Sequence, residues 1–291
     1  MKKTYHLCLS AGDEVLFRDI EDYNRGFNCF ALALFNTDST GLVESEMSTH
    51  YHQLIQSRNP DEFMRSFRLS YSMYFNRKYH RRGKLGEKSH YTMEVVGYNH
   101  TIAAMSYVLR NALHHGVAPI PYAYPYSTVN SIFMTQMGKA PDSKDSQVPA
   151  NYVMSKSGVF LRESVLDIAQ VENLFVSPRA FNWHMTRKSS EEWESEQAKD
   201  NNGRPPINLS VIEKGIQLTS HGEMLIHENG KSNYRRPSDM DICAEIDKNI
   251  LPKYNKVSVY HLSQQEKQKI AEYLYRALHI SERQIKRCLV M

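Results

Sequence analysis

The sequence predicts an α+β fold in which an antiparallel sheet carries helices on one face, followed by a mainly helical C-terminal extension. Two observations carry this reading. Up to Gly116 the apolar pattern reads strand, helix, strand, strand, helix, strand, helix; near the C-terminus two serine-headed segments each open a short apolar helical stripe. With 291 residues the chain is long enough to bury a sizeable core in more than one unit.

Thr4 to Ser10 reads as the first strand, and Ile20 to Phe35 as a helix with Tyr23, Phe27, Phe30, Ala31 and Leu34 on one stripe. The turn residues 37–41 (TDSTG) separate it from two strands, Leu42 to Met47 and Tyr51 to Gln56. Asn59-Pro60-Asp61 opens a long helix that buries Phe63, Phe67, Tyr71, Tyr74 and Phe75 and runs out at Gly83. Thr92 to Val96 is a short strand, and a helix is expected from Asn99 to Gly116, where glycine is a C-terminal stop.

Residues 138–148 (GKAPDSKDSQV) turn polar and read as a linker, which divides the chain into 1–137, 138–260 and 261–291. Ser155 to Phe181 is partly helical, and 189–206 reads as a charged loop. Ser263-Gln-Gln-Glu266 and Ser281-Glu-Arg-Gln284 are capping-box patterns, so two helices start there. Their shared apolar face of Ile270, Leu274, Leu278, Ile285 and Leu289 suits a helix-turn-helix, with Arg283, Gln284, Lys286 and Arg287 expected to face outward toward DNA. A plain αα-hairpin with solvated charges fits the same pattern.

The net charge of +4 matters only where cations concentrate. They concentrate at the end of the second helix, in Arg77, Lys78, Arg81, Arg82, Lys84 and Lys88, with Tyr79 and Tyr91 interleaved; cations for phosphates and rings for unpaired bases point to single-stranded nucleic acid. The four cysteines are far apart without C-x-x-C spacing, which excludes a zinc ribbon or a disulfide framework and fits a reducing, cytoplasmic setting. No stretch reaches the ~18 consecutive apolar residues of a membrane span, and no signal peptide is expected.

His50 and His52 are two apart on a strand, so both imidazoles point to one face while Tyr51 points to the other. Such a pair can hold a divalent ion, yet among thirteen histidines it also arises by chance. Tyr107 and Asn111 are four apart on the expected helix and share a face, so Asn111 can supply an oxygen ligand and Tyr107 a hydroxyl nucleophile. Nitrogen and carbonyl-oxygen donors in an incomplete sphere suit Mg²⁺ or Mn²⁺. The alternative for Tyr107 is a core aromatic. Arg110, His114 and His115 sit on or near the same helix, where Arg110 can meet phosphate.

Taken together, these residues resemble the single-tyrosine HUH transposases of the REP-associated, IS200-like branch. His50-Tyr51-His52 matches the H-hydrophobic-H motif. Tyr74-Phe-Asn-Arg-Lys-Tyr-His-Arg-Arg-Gly-Lys-Leu85 matches the family's basic helix end with one additional residue before the glycine, Tyr107-Val-Leu-Arg-Asn-Ala-Leu-His-His-Gly-Val117 its nucleophile segment, and Tyr124-Pro-Tyr-Ser-Thr128 the stretch that follows. The match spans about residues 4–133. Ala112 stands where the family has proline, and Gly86-Glu-Lys where it has Trp-Gln-x-Arg.

The resemblance implies a ferredoxin-like (RRM-like) domain that cuts and rejoins hairpin-associated single-stranded DNA, in the cytoplasm at the nucleoid. It implies attack by Tyr107 through a 5′-phosphotyrosine link, with Mg²⁺ or Mn²⁺ held by His50, His52 and Asn111. A domesticated, non-cleaving DNA-binding regulator is the alternative. A metallohydrolase is the weakest reading, because no H-E-x-x-H or Asp-rich motif is present. Oligomeric state leaves no mark in the sequence.

Overall fold

A computed structural model describes residues 1–86, 89–136, 138, 152–186, 224–228, 231–235 and 237–291. The expected loop at 189–206, the linker after Gly138 and Lys88 lie outside the described residues.

The N-terminal half is β1 (Lys3–Ser10), α1 (Ile20–Asn36), β2 (Thr40–Met47), β3 (His50–Ser57), α2 (Pro60–Lys78), β4 (Tyr91–Val95), α3 (Tyr98–Leu109) and α4 (Asn111–His114). Local chemistry sets the helix starts: the Asp19 side chain accepts from the Asp22 N–H at the head of α1, and Asn59 accepts from the Glu62 N–H ahead of Pro60. The four strands order as β2-β3-β1-β4, antiparallel throughout. With the element order βαββαβ this is the ferredoxin-like arrangement.

Alternation along the strands sorts side chains to two faces. Leu7, Leu9, Tyr51 and Ile55 turn to α1 and α2 and join Phe27, Phe30, Phe63, Phe67, Tyr71 and Phe75 in an aromatic-rich core. Leu54, Val43 and Val95 turn the opposite way, into a second core with Ile102, Met105 and Val108 of α3. The helix pair α1 and α2 thus occupies one face as expected, and the second face is covered as well. Its cover is α3 together with α6 (Ile168–Phe175) and α7 (Pro178–Thr186), which follow the one-turn α5 (Arg162–Val165) and contribute Val171, Phe175, Phe181 and Met185.

The single helix expected over 99–116 is interrupted. Arg110 at φ −94°, ψ 4° separates α3 from α4, although its N–H still bonds to Ser106 O at 3.0 Å. Nothing in the propensities of Leu109, Arg110 and Asn111 marks this break.

After the hairpin β5 (Met224–Glu228) and β6 (Lys231–Arg235), the C-terminal part contains α8 (Asp239–Glu245), α9 (Gln264–Leu278) and α10 (Glu282–Leu289). Ser263 heads α9 in a full capping box, and Ser281 caps α10 by accepting from the Gln284 N–H. His279, left-handed at φ 53°, turns the chain between them. Their apolar residues share a core with Ile242, Ile246, Val259 and Val15. The buried Arg18 fixes this unit to the sheet domain, donating to Asp247 at 2.8 Å and to the Cys288 carbonyl at 2.9 Å.

Candidate active site

The second face of the sheet brings four expected residues together. His50 and His52 project from β3 with ring centroids 5.0 Å apart. Asn111 Oδ1, from the start of α4, lies 2.8 Å from His50 Nε2, and the Tyr107 hydroxyl, near the end of α3, lies 3.4 Å from His52 Nε2. The break at Arg110 puts Tyr107 on α3 and Asn111 at the start of α4.

The site has further members that the sequence reading passed over. His6 on β1 places Nε2 at 3.1 Å from His52 Nδ1, Cys8 Sγ is 3.9 Å from His52 Nε2, and Thr49 Oγ1 is 3.1 Å from His50 Nδ1. The alternation of Tyr5, Leu7 and Leu9 with His6, Cys8 and Ser10 was the available signal, because it puts His6 and Cys8 on the face opposite the aromatic core. His115 adds a ring 4.8 Å from that of His50, and His114 one 6.0 Å from that of Tyr107.

The cluster is closed. Tyr107, His50, His52 and Asn111 are each exposed by no more than 1%, while His114 lies exposed on the outside. Burial disfavours the imidazolium, and neighbouring imidazoles add to it. Burial and then His100 push His6 down to about 3, and burial pushes His50 to about 4 against the opposing Asn111 hydrogen bond. His52 falls well below its ordinary value through burial and the nearby His50 and His6. At neutral pH these rings are uncharged, so each keeps one nitrogen lone pair free of a proton.

The donor chemistry suits a divalent cation: two neutral imidazoles and an amide oxygen, with Asn111 Oδ1 2.8 Å from His50 Nε2. Among the described residues no group of three or more His, Cys, Asp or Glu is arranged to hold a metal; this set differs in kind, with two imidazoles and an amide.

The expected DNA-contacting cations divide into two groups. Arg77, Arg82 and Lys84 are exposed, and Arg110 is half-buried. Lys84 also lines a groove of about 580 Å³ with Arg65, Arg68, Leu69, Met73 and His90, on the outer side of α2. Lys78 is turned inward instead, its ammonium 2.7 Å from Asp19, 2.9 Å from Glu21 and 2.9 Å from the buried Asp22. Arg81 bonds to Glu14 at 2.8 Å and to the carbonyls of Gly83 and Lys84. Tyr79 is buried, its hydroxyl donating to Asp22.

On α10 the outward-facing expectation holds for Arg283 and Lys286 and is corrected for Gln284 and Arg287. Both of the latter are fully buried. Arg287 forms a two-pronged pair with Asp239, 2.7 Å at each prong, and Gln284 donates to Pro237 O and Asp239. A helical pattern places charges outside by default, and the acid that draws Arg287 inward lies 48 residues earlier in the chain.

No helix among the described residues is long and apolar enough to cross a membrane. No protein-family model and no curated protein matches the chain. Among solved structures it is similar to a REP-associated tyrosine transposase bound to a REP hairpin, with a TM-score of 0.39 and 12% identity, over 52% of this chain and 92% of that one.

Proposed function

We propose that the protein is a metal-dependent single-stranded DNA transferase that cleaves and rejoins hairpin-associated DNA through Tyr107. The observation that carries this reading is the convergence of His50, His52 and Asn111, from separate parts of the chain, around a donor set beside the Tyr107 hydroxyl. The motif order shared with single-tyrosine HUH transposases supports it.

In the proposed reaction Tyr107 Oη attacks the scissile phosphorus and loses its proton. A phosphotyrosine ester forms at the 5′ side, the bond to the 3′ oxygen breaks, and that oxygen leaves as a hydroxyl. Attack of a 3′-hydroxyl on the same phosphorus reverses the exchange, so bond count is conserved and neither water nor ATP is consumed. His50, His52 and Asn111 would hold a Mg²⁺ or Mn²⁺ ion, which would supply Lewis-acid neutralisation of phosphate charge. His52 Nε2, the nitrogen that would take the ion, lies 3.4 Å from the phenol. Exposed Arg77, Arg82 and Lys84 attract the phosphate backbone. Because Tyr107 is 1% exposed, DNA engagement requires a shift of the helices that share its core, α6 and α7.

Incubation of the full chain with Mn²⁺ and labelled single strands carrying imperfect hairpins tests this on a denaturing gel. The expected result is a covalent protein–DNA adduct that disappears in Tyr107→Phe and in His52→Ala. The burial of Tyr107 favours a second reading, a non-cleaving DNA-binding regulator, which predicts hairpin binding without an adduct. Hydrolysed product without an adduct would overturn both.

A further inference from the structure

His50 and His52 are each held at both ring nitrogens, and the partners of the two Nδ1 atoms share an unusual property. Thr49 Oγ1 stands 3.1 Å from His50 Nδ1, and His6 Nε2 stands 3.1 Å from His52 Nδ1. A hydroxyl and a neutral imidazole can each donate or accept, whereas a carboxylate or backbone carbonyl only accepts.

That property matters because a neutral imidazole carries one N–H. Asn111 Oδ1 can only accept, so at 2.8 Å it places the proton of His50 on Nε2, and the Thr49 hydroxyl then donates to Nδ1. A cation needs the Nε2 lone pair, which puts the proton on Nδ1. The Thr49 hydroxyl rotates and accepts it, and the hydrogen bond survives with its direction reversed. For His52 the same reversal leaves the shared proton on its Nδ1, donated to His6 Nε2, so that His6 carries its own proton on the far nitrogen Nδ1, which is buried with no hydrogen-bond partner among the described residues. No bond there commits His6 to one tautomer.

We propose that Thr49 and His6 are positioning residues whose reversible hydrogen bonds let His50 and His52 present their Nε2 lone pairs to one divalent cation without leaving either Nδ1 unpaired. The inference rests on the cation site proposed above and adds two residues to it. It assigns a function to the buried His6, which the transfer reaction itself does not use.

Two measurements on the full-length chain test it. In the imidazole-¹⁵N spectrum of the wild type, Mg²⁺ is expected to move the His50 proton from Nε2 to Nδ1 and to leave His52 protonated on Nδ1; a His50 proton that stays on Nε2 in saturating Mg²⁺ overturns the proposal. By calorimetric titration, His6→Phe and Thr49→Val are expected to weaken Mn²⁺ binding about 10- to 100-fold. His6→Gln and Thr49→Ser, which keep a group able to accept at the same place, restore most of it. Wild-type affinity in both His6→Phe and Thr49→Val overturns the role of the pair while leaving the cation site standing. Absence of Mn²⁺ binding by the wild type overturns the cation site, and the pair's role with it.

Discussion

On one face of β3, Tyr51, Gln53 and Ile55 stand among aromatic rings and beside the buried Glu44 and Glu46, whose carboxylates meet Arg162 at 2.6 and 3.4 Å. On the other face, His50 and His52 are as dry, and the groups bonded to them are a hydroxyl, an amide, an imidazole, a thiol and a phenol. The first face resolves buried charge with an opposite charge from its own chain. The second collects neutral lone pairs at one point. Buried polarity of the first kind is structural; polarity of the second kind has a use when a cation or a reacting phosphate enters, and perturbed groups gather at such sites.

The largest expected effect breaks the first face. Arg162→Ala leaves two carboxylates buried without their cation, and loss of one partner of such a pair costs about 3–5 kcal/mol. Burial already holds the Glu44 and Glu46 pKa values above the usual carboxylate range despite Arg162. A lower urea midpoint at unchanged slope is the expected readout. Because Arg162 lies in the segment after the linker, the same variant measures how firmly that segment is tied to β2.

The second face is sharpened by adding its ion. A ligand that binds only the folded state at 100 times its Kd stabilises by about 2.7 kcal/mol. Mn²⁺ at that ratio is therefore expected to raise the melting temperature of the wild type and to leave that of His50→Ala where it was. An equal rise in both would move cation binding away from the histidines.

Much of this contrast was legible before any coordinates. The strands, α1 and α2 follow from period-two and period-3.6 patterns with Asn59-Pro60 marking a start, and the face shared by His50 and His52 follows from alternation alone. What local pattern cannot carry is partnership across the chain. Lys78 and Arg287 read as solvent cations because the acids that capture them, Asp19 with Asp22 and Asp239, are distant in sequence. The Glu44, Glu46 and Arg162 group was missed for the same reason, and the closure of Tyr107 depends on helices from a segment whose pattern was only partly readable.

A pH series separates the faces by sign. The unfolded chain takes up protons near pH 6.5, which the folded chain refuses until about 4 at His50 and about 3 at His6. The unfolded state therefore binds more protons in this window. The histidine contribution is intact above pH 6.5 and declines as pH falls toward 4. Glu44 and Glu46, with raised values, act in the opposite direction. Comparing wild type with His6→Leu cancels the carboxylates: between pH 6 and 5 the variant's stability is expected to fall less steeply, by up to about 1.4 kcal/mol per pH unit for one group. Parallel curves in denaturant would place the proton uptake elsewhere.

The smallest effect is a gain. Gln53 projects from β3 into the aromatic face, fully buried, with neither its amide nitrogen nor its oxygen bonded to any group among the described residues. An amide that loses water and finds no partner costs about 1–3 kcal/mol, and an apolar group of similar shape removes that cost. Gln53→Leu is thus expected to raise the urea midpoint by an amount worth about 1 kcal/mol once some repacking strain is subtracted. If the two faces differ as argued, adduct formation and Mn²⁺ affinity stay at wild-type levels in this variant, because Gln53 points away from His50 and His52 on the same strand. A destabilised Gln53→Leu would mean that the amide has a bonded partner, and the first face would then need its polar group as the second does.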